Sequence, residues 1–306
     1  MSRIYPLGET LSFSAPSPSP LPSPSPKASS LSPPSPGPPP PAPTTTTPPP
    51  TSAPSSPTSA RESPLLPKTT TFPYRDYRAA EDLILEAIRR SPFYGLVLAP
   101  SGMGKTSLMR DLVDKLDRHR YHLMYLPAAN VSLLGISRFF AQSCHIAPKR
   151  TFVETTKVIA DVLKTQPVQH VLWIDEADRL SADTIAELRL LAECDREIPQ
   201  MFSIIFSGLP ELGSLLTSAK LFPLKRRITV RVQLNGLCRD ELDAFLVHRF
   251  GSIEKRVPLE LRDEIFERTL AAPALIEKVV RRMLERAADA AVTETHLREA
   301  LDAAGL

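Results

Sequence analysis

One stretch, residues 95–107, constrains the fold of this chain more than any other part of its sequence. It reads Gly-Leu-Val-Leu-Ala-Pro-Ser-Gly-Met-Gly-Lys-Thr-Ser. The apolar run from Leu96 to Leu98 predicts a buried strand, and the turn after it contains Gly102 and Gly104. A helix is predicted next, because apolar residues recur at helical spacing at Leu108, Met109, Leu112, Val113 and Leu116. The fold must therefore hold a glycine turn between a buried strand and a helix.

This arrangement is typical of a phosphate-binding loop. The glycines let backbone N–H groups face an anion, and the positive end of the helix dipole lies beside them. Lys105 would reach the β- and γ-phosphates, and the Thr106 hydroxyl would ligate Mg²⁺. Ala99 stands where the usual motif has glycine, and a plain turn with an exposed lysine is the alternative. We predict a site for ATP and Mg²⁺ whose nucleotide contacts are Pro100, Ser101, Gly102, Met103, Gly104, Lys105, Thr106 and Ser107.

A second chemical signal is the pair Asp175-Glu176, which follows the apolar run Val171 to Ile174. Carboxylates at the carboxyl end of a central parallel strand lie in the crevice where α/β sheets bind ligands. We predict that Asp175 holds Mg²⁺ and that Glu176 orients the attacking water as general base. A charged turn is the alternative, and Asp178 is predicted to cap or pair locally.

The order of the elements predicts an α/β fold with a mainly parallel, five-stranded sheet. Strands are predicted at 96–98, 121–126, 169–176, 202–206 and 228–234, with helical patterns between them and from Asp240 onward. We predict an α/β core over residues 73–236 and a small helical unit over 237–306.

Residues 1–72 differ in composition from the rest of the chain. They hold 22 of the 33 prolines, mixed with Ser, Thr and Ala. Such a segment has too few apolar residues to offset the entropy of ordering, so a disordered arm with polyproline-II bias is predicted. It is expected to act as a spacer or tail, or as a proline-rich ligand for a partner.

Composition restricts the possible functions of the chain less than the two motifs do. The net charge of +3 permits a nucleic-acid partner without demanding one. No apolar stretch reaches the ~20 residues of a membrane span, and no signal peptide is evident, so no membrane association and a cytoplasmic location are predicted. The cysteines Cys144, Cys194 and Cys238 lack metal-like spacing and are predicted to be small buried hydrophobes. The histidines form no ligand pattern, and a surface role is predicted for His119 and His122.

The run Asp175-Glu176-Ala177-Asp178 also matches the motif of DEAD-box helicases. Those enzymes carry Ser-Ala-Thr after the next strand and a second α/β domain with its own arginine motif. Neither motif occurs here, and the 128 residues after Asp178 are mainly helical in pattern. The helicase interpretation is rejected.

A broader match covers about residues 74–287. The phosphate loop, the Asp-Glu strand, Phe-Ser-Gly-Leu-Pro-Glu-Leu at 206–212 and Lys-Arg-Arg-Ile at 225–228 occur in the order typical of AAA+ ATPases. The chain resembles the branch that contains the ExeA-like proteins and the ATPases of transposition systems, which is related to origin-recognition ATPases. The resemblance implies a P-loop NTPase core of five strands followed by a helical lid.

The resemblance also implies roles for single residues. Ser207 stands where such proteins place a polar sensor of the γ-phosphate, with a plain turn serine as the alternative. Arg227 matches the arginine that contacts a neighbouring subunit's nucleotide, with Arg226 as second candidate and a solvated basic turn as the alternative. Relatives carry Gly-x-Pro-Arg at the start of a lid helix, and Ala274 occupies that arginine position here. Slow hydrolysis is therefore expected.

These features predict an AAA+ ATPase that hydrolyses ATP with Mg²⁺. Glu176 would orient the water, while Lys105 and a neighbour's Arg227 would stabilise the developing charge. The expected role is that of a homo-oligomeric, DNA-directed regulator, such as a transposition helper that acts with DNA and a transposase-like protein. An ExeA-like secretion ATPase and a non-hydrolysing, nucleotide-gated adaptor or signalling switch are the alternatives.

Overall fold

The structure, a computed structural model, describes residues 71–128, 131–194, 198, 200–251, 256–287 and 290–306. The predicted proline-rich arm, residues 1–72, lies outside these ranges except for its last two residues. In the part of the chain that is described, no helix is both long enough and apolar enough to cross a membrane.

Five parallel strands form one sheet in the order β2-β3-β4-β1-β5. They are β1 (Tyr94–Leu98), β2 (Tyr121–Pro127), β3 (Gln169–Asp175), β4 (Ser203–Gly208) and β5 (Ile228–Gln233). The predicted five-stranded parallel sheet is confirmed. β4 runs two residues beyond the predicted 202–206, because Ser207 and Gly208 continue the pairing with Val97 and Leu98 of β1. The polar Ser207 hid this extension in the sequence.

Among the described residues, seven α-helices up to β5 connect and cover the strands. They are α1 (Arg75–Arg90), α2 (Lys105–Lys115), α3 (Leu133–Ser143), α4 (Phe152–Leu163), α5 (Ala182–Ala192), α6 (Pro210–Leu215) and α7 (Phe222–Lys225). Side-chain caps from Ser132, Thr151 and Ser181 start α3, α4 and α5. The short helices α6 and α7 were not predicted, because four to six residues are too few to show a helical period.

Alternate residues of the strands supply two separate cores, one on each face of the sheet. On one face Val97 and Trp173 pack with α1 and α2, for example through Leu108. On the other face Leu172 and Ile174 pack with α3, α4 and α5. Burial on both faces explains why these strands are almost continuously apolar rather than alternating.

The chain continues as helices after β5. They are α8 (Leu242–Phe250), α9 (Leu259–Arg268), α10 (Pro273–Ala287) and α11 (Glu294–Asp302). Phe245, Ile276 and Val280 from this segment join the core that contains α1 and α2. The backbone N–H of Ala274 donates to Gly102 O at 3.2 Å, so α10 begins directly against the glycine turn after β1.

Candidate nucleotide site

The carboxyl ends of three neighbouring strands meet at the centre of the sheet. β3 ends at Asp175, β4 at Gly208 and β1 at Leu98, and these strands are adjacent in the order β3-β4-β1. They open into a cleft of about 330 Å³. It is lined by Ser101, Gly102, Gly104, Lys105, Thr106, Ser107, Asp175, Glu176, Asp178, Arg179, Gly208 and Leu209. The structure thus brings together the two motifs that the sequence singled out.

The glycine turn has the backbone that the motif requires. Gly102 and Gly104 have φ values of 83° and 95°, a region that side-chain-bearing residues rarely adopt. The first hydrogen bond of α2 runs from Leu108 N to Gly104 O at 2.8 Å. The N–H groups of residues 105–107 therefore have no partner within the helix, and they lie beside the cleft together with the positive end of its dipole.

Lys105 is half-buried at the first position of α2. Its Nζ donates hydrogen bonds to Ala99 O at 2.7 Å and to Pro100 O at 3.2 Å. Burial lowers the pKa of Lys105, while nearby carboxylates, Asp175 first among them, act in the opposite direction. Ala99, which stands where the usual motif has glycine, is fully buried, and its backbone N–H donates to Gly208 O. The alanine therefore does not prevent the loop from pairing with the end of β4.

Asp175 is the most heavily hydrogen-bonded side chain of the cleft, and it is only 4% exposed. Its Oδ2 accepts hydrogen bonds from the Thr106 hydroxyl at 3.1 Å and from the Tyr125 hydroxyl at 3.0 Å. Its Oδ1 accepts from the Ser207 hydroxyl at 2.7 Å and from Glu176 N at 3.0 Å. Burial, with help from the bond to Asp175, raises the pKa of Tyr125 to about 12. The carboxylate is thus fixed in position by four donors.

Ser207 is fully buried and does not line the cleft. Its hydroxyl lies between Asp175 and the indole of Trp173, whose Nε1 donates to Ser207 Oγ at 2.8 Å. Within this chain Ser207 therefore acts on the cleft through Asp175.

Glu176 follows β3 in a left-handed conformation, with φ of 54°. This turn leaves its side chain half exposed at the cleft, where Oε2 lies 3.1 Å from Arg179 Nη1. Asp178 makes a longer-range contact than predicted: its Oδ1 accepts from Leu209 N at 3.0 Å and so ties the turn after β3 to the end of β4. The prediction that Asp178 caps or pairs locally is thus wrong, because its partner Leu209 lies 31 residues along the chain.

The remaining predicted residues lie outside the cleft. Arg227 Nη1 lies 2.5 Å from Glu193 Oε1, the same oxygen that accepts the Tyr94 hydroxyl at 2.8 Å, and Arg226 is exposed. Pro100 is exposed, and Met103 is buried with its carbonyl bound to the Tyr74 hydroxyl. A role for Arg227 at a neighbouring subunit's nucleotide stays a prediction.

Sequence reasoning missed three residues of this site. Tyr125 and Trp173 contact the Asp175 network, and Arg179 lines the cleft. Tyr125 and Trp173 are direct partners in the β2–β3 register, two residues before the strand ends. The spacing of two residues from Asp175 was an available signal for Trp173 only, because Tyr125 depends on the β2–β3 register and an arginine in a short 3-10 turn gave no signal.

A second cavity of about 240 Å³ adjoins the glycine turn on the side of the C-terminal helices. Its aromatic and apolar lining residues include Phe72, Tyr74, Tyr77, Met103, Phe245, Pro273 and Ala274. Thr71, Ser107, Arg249 and Glu277 add polar and charged groups to the lining. The turn thus has the polar cleft on one side and a partly aromatic cavity of mixed polarity on the other.

Comparison with known proteins agrees with this geometry. Residues 89–216 match the family described as AAA domain. A segment of 79 residues is 32% identical to general secretion pathway protein A of Aeromonas hydrophila, and the match spans 26% of this chain but only 14% of that protein.

Solved structures show the same fold. Cdc6p from Pyrobaculum aerophilum superposes with a TM-score of 0.58 at 16% identity, over 78% of this chain and 69% of that one. The Aeropyrum pernix ORC1 protein in complex with DNA gives 0.54 at 15% identity, over 78% and 68%. The Aeropyrum pernix ORC2 protein gives 0.53 at 14% identity, over 74% and 65%. The AAA domain over residues 89–216, the general secretion pathway relative and this fold confirm the predicted resemblance of the chain to ExeA-like, origin-recognition-type AAA+ ATPases.

Proposed function

We propose that this protein binds ATP with Mg²⁺ and hydrolyses it to ADP and phosphate. The observation that carries the proposal is the 3.1 Å contact between Thr106 Oγ1 and Asp175 Oδ2. It joins the helix after the glycine turn to the end of the central strand, and Glu176 lies at the mouth of the same cleft. A hydroxyl and a carboxylate in this relation are the protein ligands of Mg²⁺ in P-loop enzymes.

The donor chemistry suits that ion. Mg²⁺ prefers hard oxygen ligands and keeps several waters, so one hydroxyl and one carboxylate are enough from the protein. Thr106 and Asp175 would hold it, with Ser207 and Tyr125 fixing the carboxylate. When bound, the ion supplies positive charge against the phosphate oxygens.

The chain's own groups account for the rest of the chemistry. The N–H groups at the start of α2 and the Lys105 ammonium would bind the β- and γ-phosphates. Lys105 donates to two backbone carbonyls of the loop, and a bound phosphate would replace these neutral acceptors with a negatively charged one. Glu176 would accept a hydrogen bond from the attacking water and take its proton.

The partly aromatic cavity beside the glycine turn supports a place for the base of the nucleotide. Of its aromatic side chains, Phe72 is only half-buried and could contact a purine, while Tyr74, Tyr77 and Phe245 are buried behind it. The cavity and the phosphate cleft share Gly102 and Gly104, so one nucleotide could occupy both.

Ala274 supports slow hydrolysis. It lies against the glycine turn through its backbone N–H, and its methyl group adds no charge to the site. Relatives carry an arginine there, and an arginine can add substantial stabilisation of transition-state charge.

The test measures phosphate release and ATP binding by the full chain. Lys105→Ala should abolish ATP binding, and Glu176→Gln should keep binding while it removes hydrolysis. Lys157→Ala and Glu187→Gln, both exposed helical positions outside the cleft, are the matched controls. Unchanged ATP affinity of Lys105→Ala would refute the site, and equal background rates for wild type and Glu176→Gln would refute the enzyme.

The proposed biological role is that of a homo-oligomeric, DNA-directed regulator, such as a transposition helper that assists a transposase-like protein. The support is the net charge of +3 and the likeness to an origin-recognition protein that was solved in complex with DNA. ATP-dependent DNA binding whose affinity falls steeply with salt is expected. No binding at low salt with ATP present would contradict the role.

A second candidate is a secretion-associated ATPase, which the match to general secretion pathway protein A favours. Cell fractionation separates the two roles: recovery in the cytoplasm fits the regulator, and stable recovery with the inner membrane fits the secretion role. A third candidate, a non-hydrolysing adaptor or signalling switch, rests on Ala274 and requires ATP binding without turnover.

A further inference from the structure

Three side chains outside the nucleotide cleft form a group that the proposed function does not use. His122, Cys144 and His170 each offer a ligand atom, and the three atoms all lie within 4.8 Å of one another. We call them the His-Cys cluster. Their wide sequence spacing hid them: Cys144 was expected to be a buried hydrophobe, and His122 a surface residue.

The fold holds the cluster between three rigid elements. His122 and His170 are direct partners in the parallel register of β2 and β3, so their side chains emerge on the same face of the sheet. Cys144 caps the carboxyl end of α3, which packs on that face. Phe140 of α3 packs against the His170 ring at a centroid distance of 6.1 Å and so restricts the orientation of that imidazole.

The spacing of the ligand atoms fits a small metal ion. Cys144 Sγ lies 3.7 Å from His170 Nδ1. A tetrahedral Zn²⁺ with normal bond lengths places a sulfur and a nitrogen ligand about 3.6 Å apart. His122 needs only a modest side-chain shift to complete the trio. It is half-buried, so solvent can reach the cluster, deliver the ion and supply a fourth ligand.

The hydrogen bonding of His170 favours the tautomer that can bind a metal. Its Nε2 lies 3.1 Å from Oε1 of Gln166, an arrangement that suits the tautomer with the proton on Nε2. The lone pair then lies on Nδ1, which faces the sulfur of Cys144. Zinc-binding histidines are oriented in this way, with the second ring nitrogen donating to an oxygen of the protein.

Burial keeps the cluster uncharged without a metal. It lowers the pKa of His170 to about 4 and raises the pKa of the Cys144 thiol to about 11. The imidazole is thus in its metal-binding form at neutral pH. Binding of a divalent ion exchanges the thiol proton for a metal–sulfur bond and releases that proton to solvent.

We propose that His122, Cys144 and His170 form a Zn²⁺ site with three protein ligands that joins the end of α3 to β2 and β3. Two imidazoles and a thiolate bind Zn²⁺, or Co²⁺ as its substitute, in preference to Mg²⁺, which favours oxygen ligands. The site lies at the amino ends of the strands. His170 precedes Asp175 by five residues, or about 16 Å of strand, so the zinc site and the nucleotide cleft are separate.

The test is metal titration of the full chain after chelator treatment, with excess Mg²⁺ present to occupy oxygen sites. Co²⁺ should bind at one equivalent and give both a thiolate charge-transfer band and the visible bands of a tetrahedral ion, and Zn²⁺ should displace it. Cys144→Ser should lose the charge-transfer band and most Zn²⁺ affinity. Gln166→Leu should weaken Zn²⁺ binding by roughly 10- to 100-fold, as expected for an outer-shell partner.

Matched controls are Cys194→Ala, His119→Ala and Lys105→Ala, all of which should bind Co²⁺ and Zn²⁺ as the wild type does. Folding is checked by a cooperative melting transition in chelator, which both Cys144→Ser and wild type should show, whereas Zn²⁺ should raise the melting temperature only in the wild type. Absence of the charge-transfer band in the wild type, or its persistence in Cys144→Ser, would overturn the proposal.

Discussion

The hydroxyl of Ser207 donates a 2.7 Å hydrogen bond to Oδ1 of Asp175 and accepts one from Trp173 at 2.8 Å. Ser207, which was expected to sense the γ-phosphate, thus orients Asp175, the predicted Mg²⁺ ligand, from the buried side of the cleft. Because all three side chains are buried, a change at Ser207 leaves polar groups unpaired rather than exposed to water.

Ser207→Ala should therefore lower the free energy of unfolding by about 2 kcal/mol, since it removes the partner of a buried indole N–H and one partner of a buried carboxylate. It should also raise the Mg²⁺ concentration needed for half-maximal ATPase activity. Denaturant unfolding and a Mg²⁺ titration of phosphate release measure the two effects. Ser214→Ala, at an exposed serine of α6, is the control; equal effects of both variants would contradict the positioning role.

Trp173 is the only tryptophan of the chain, and two hydrogen bonds through Ser207 link its indole to Asp175, which would hold Mg²⁺. Its fluorescence should change when Mg²⁺ and ATP bind, because Asp175 then shares its oxygens with the ion. A titration of Glu176→Gln with ATP, with and without Mg²⁺, measures this change without hydrolysis. Asp175→Asn should lose the Mg²⁺-dependent part, and a flat signal in protein that binds ATP by another assay would contradict the linkage.

The sequence predicted the parts of this site that lie within one local motif. Gly102, Gly104, Lys105 and Thr106 share a short loop, and Asp175 ends an apolar run, so pattern alone placed them. The contacts that orient Asp175 could not be predicted, because Tyr125 comes from another strand and depends on the β2–β3 register. The His-Cys cluster was missed for the same reason, since sheet register and the end of a helix bring its members together.

Arg179 was also missed, and it is the only arginine among the residues that line the phosphate cleft in the described part of the chain. Its ion pair with Glu176 is half exposed, and such pairs are worth less than about 1 kcal/mol. Arg179→Ala should therefore leave the melting temperature unchanged but weaken ATP binding roughly tenfold, the loss expected for one charge-assisted hydrogen bond. Arg298→Ala, which breaks a similar exposed pair with Glu294 outside the cleft, should change neither quantity.

Arg227 makes a structural contact within its own chain. Its partner Glu193 is only 16% exposed and also holds the Tyr94 hydroxyl, so Arg227→Ala should lower stability by about 1 kcal/mol or more. If Arg227 also completes a neighbouring site, a mixture of Arg227→Ala and Lys105→Ala proteins should hydrolyse ATP faster than either alone. Arg226→Ala is the exposed control, and a mixture no faster than its components would contradict the role in trans.

Gly236 connects β5 to the helical segment at a point of close backbone contact. It has a φ of 99°, and a Cβ there would lie 2.5 Å from Ala271 O, which accepts a 3.0 Å hydrogen bond from Leu237 N. Ala271 is itself left-handed, with φ of 57°, and it stands three residues before Ala274 and the glycine turn. The carbonyl therefore cannot move away without shifting the start of α10.

Gly236→Ala should lower the free energy of unfolding by roughly 1–2 kcal/mol because of left-handed strain, and further because of the clash. The lower conformational entropy of the unfolded chain should offset about 0.4–1 kcal/mol of this loss. Gly305→Ala is the matched control, because Gly305 has a φ of 81° but no atom within 4 Å of the added Cβ, so it carries the strain alone. We expect a clearly larger loss of unfolding free energy for Gly236→Ala, together with weaker ATP binding, because α10 and the glycine turn share the Ala274–Gly102 hydrogen bond. Equal losses in the two variants, measured by denaturant unfolding, would show that the contact between Gly236 and Ala271 does not hold α10 against the turn.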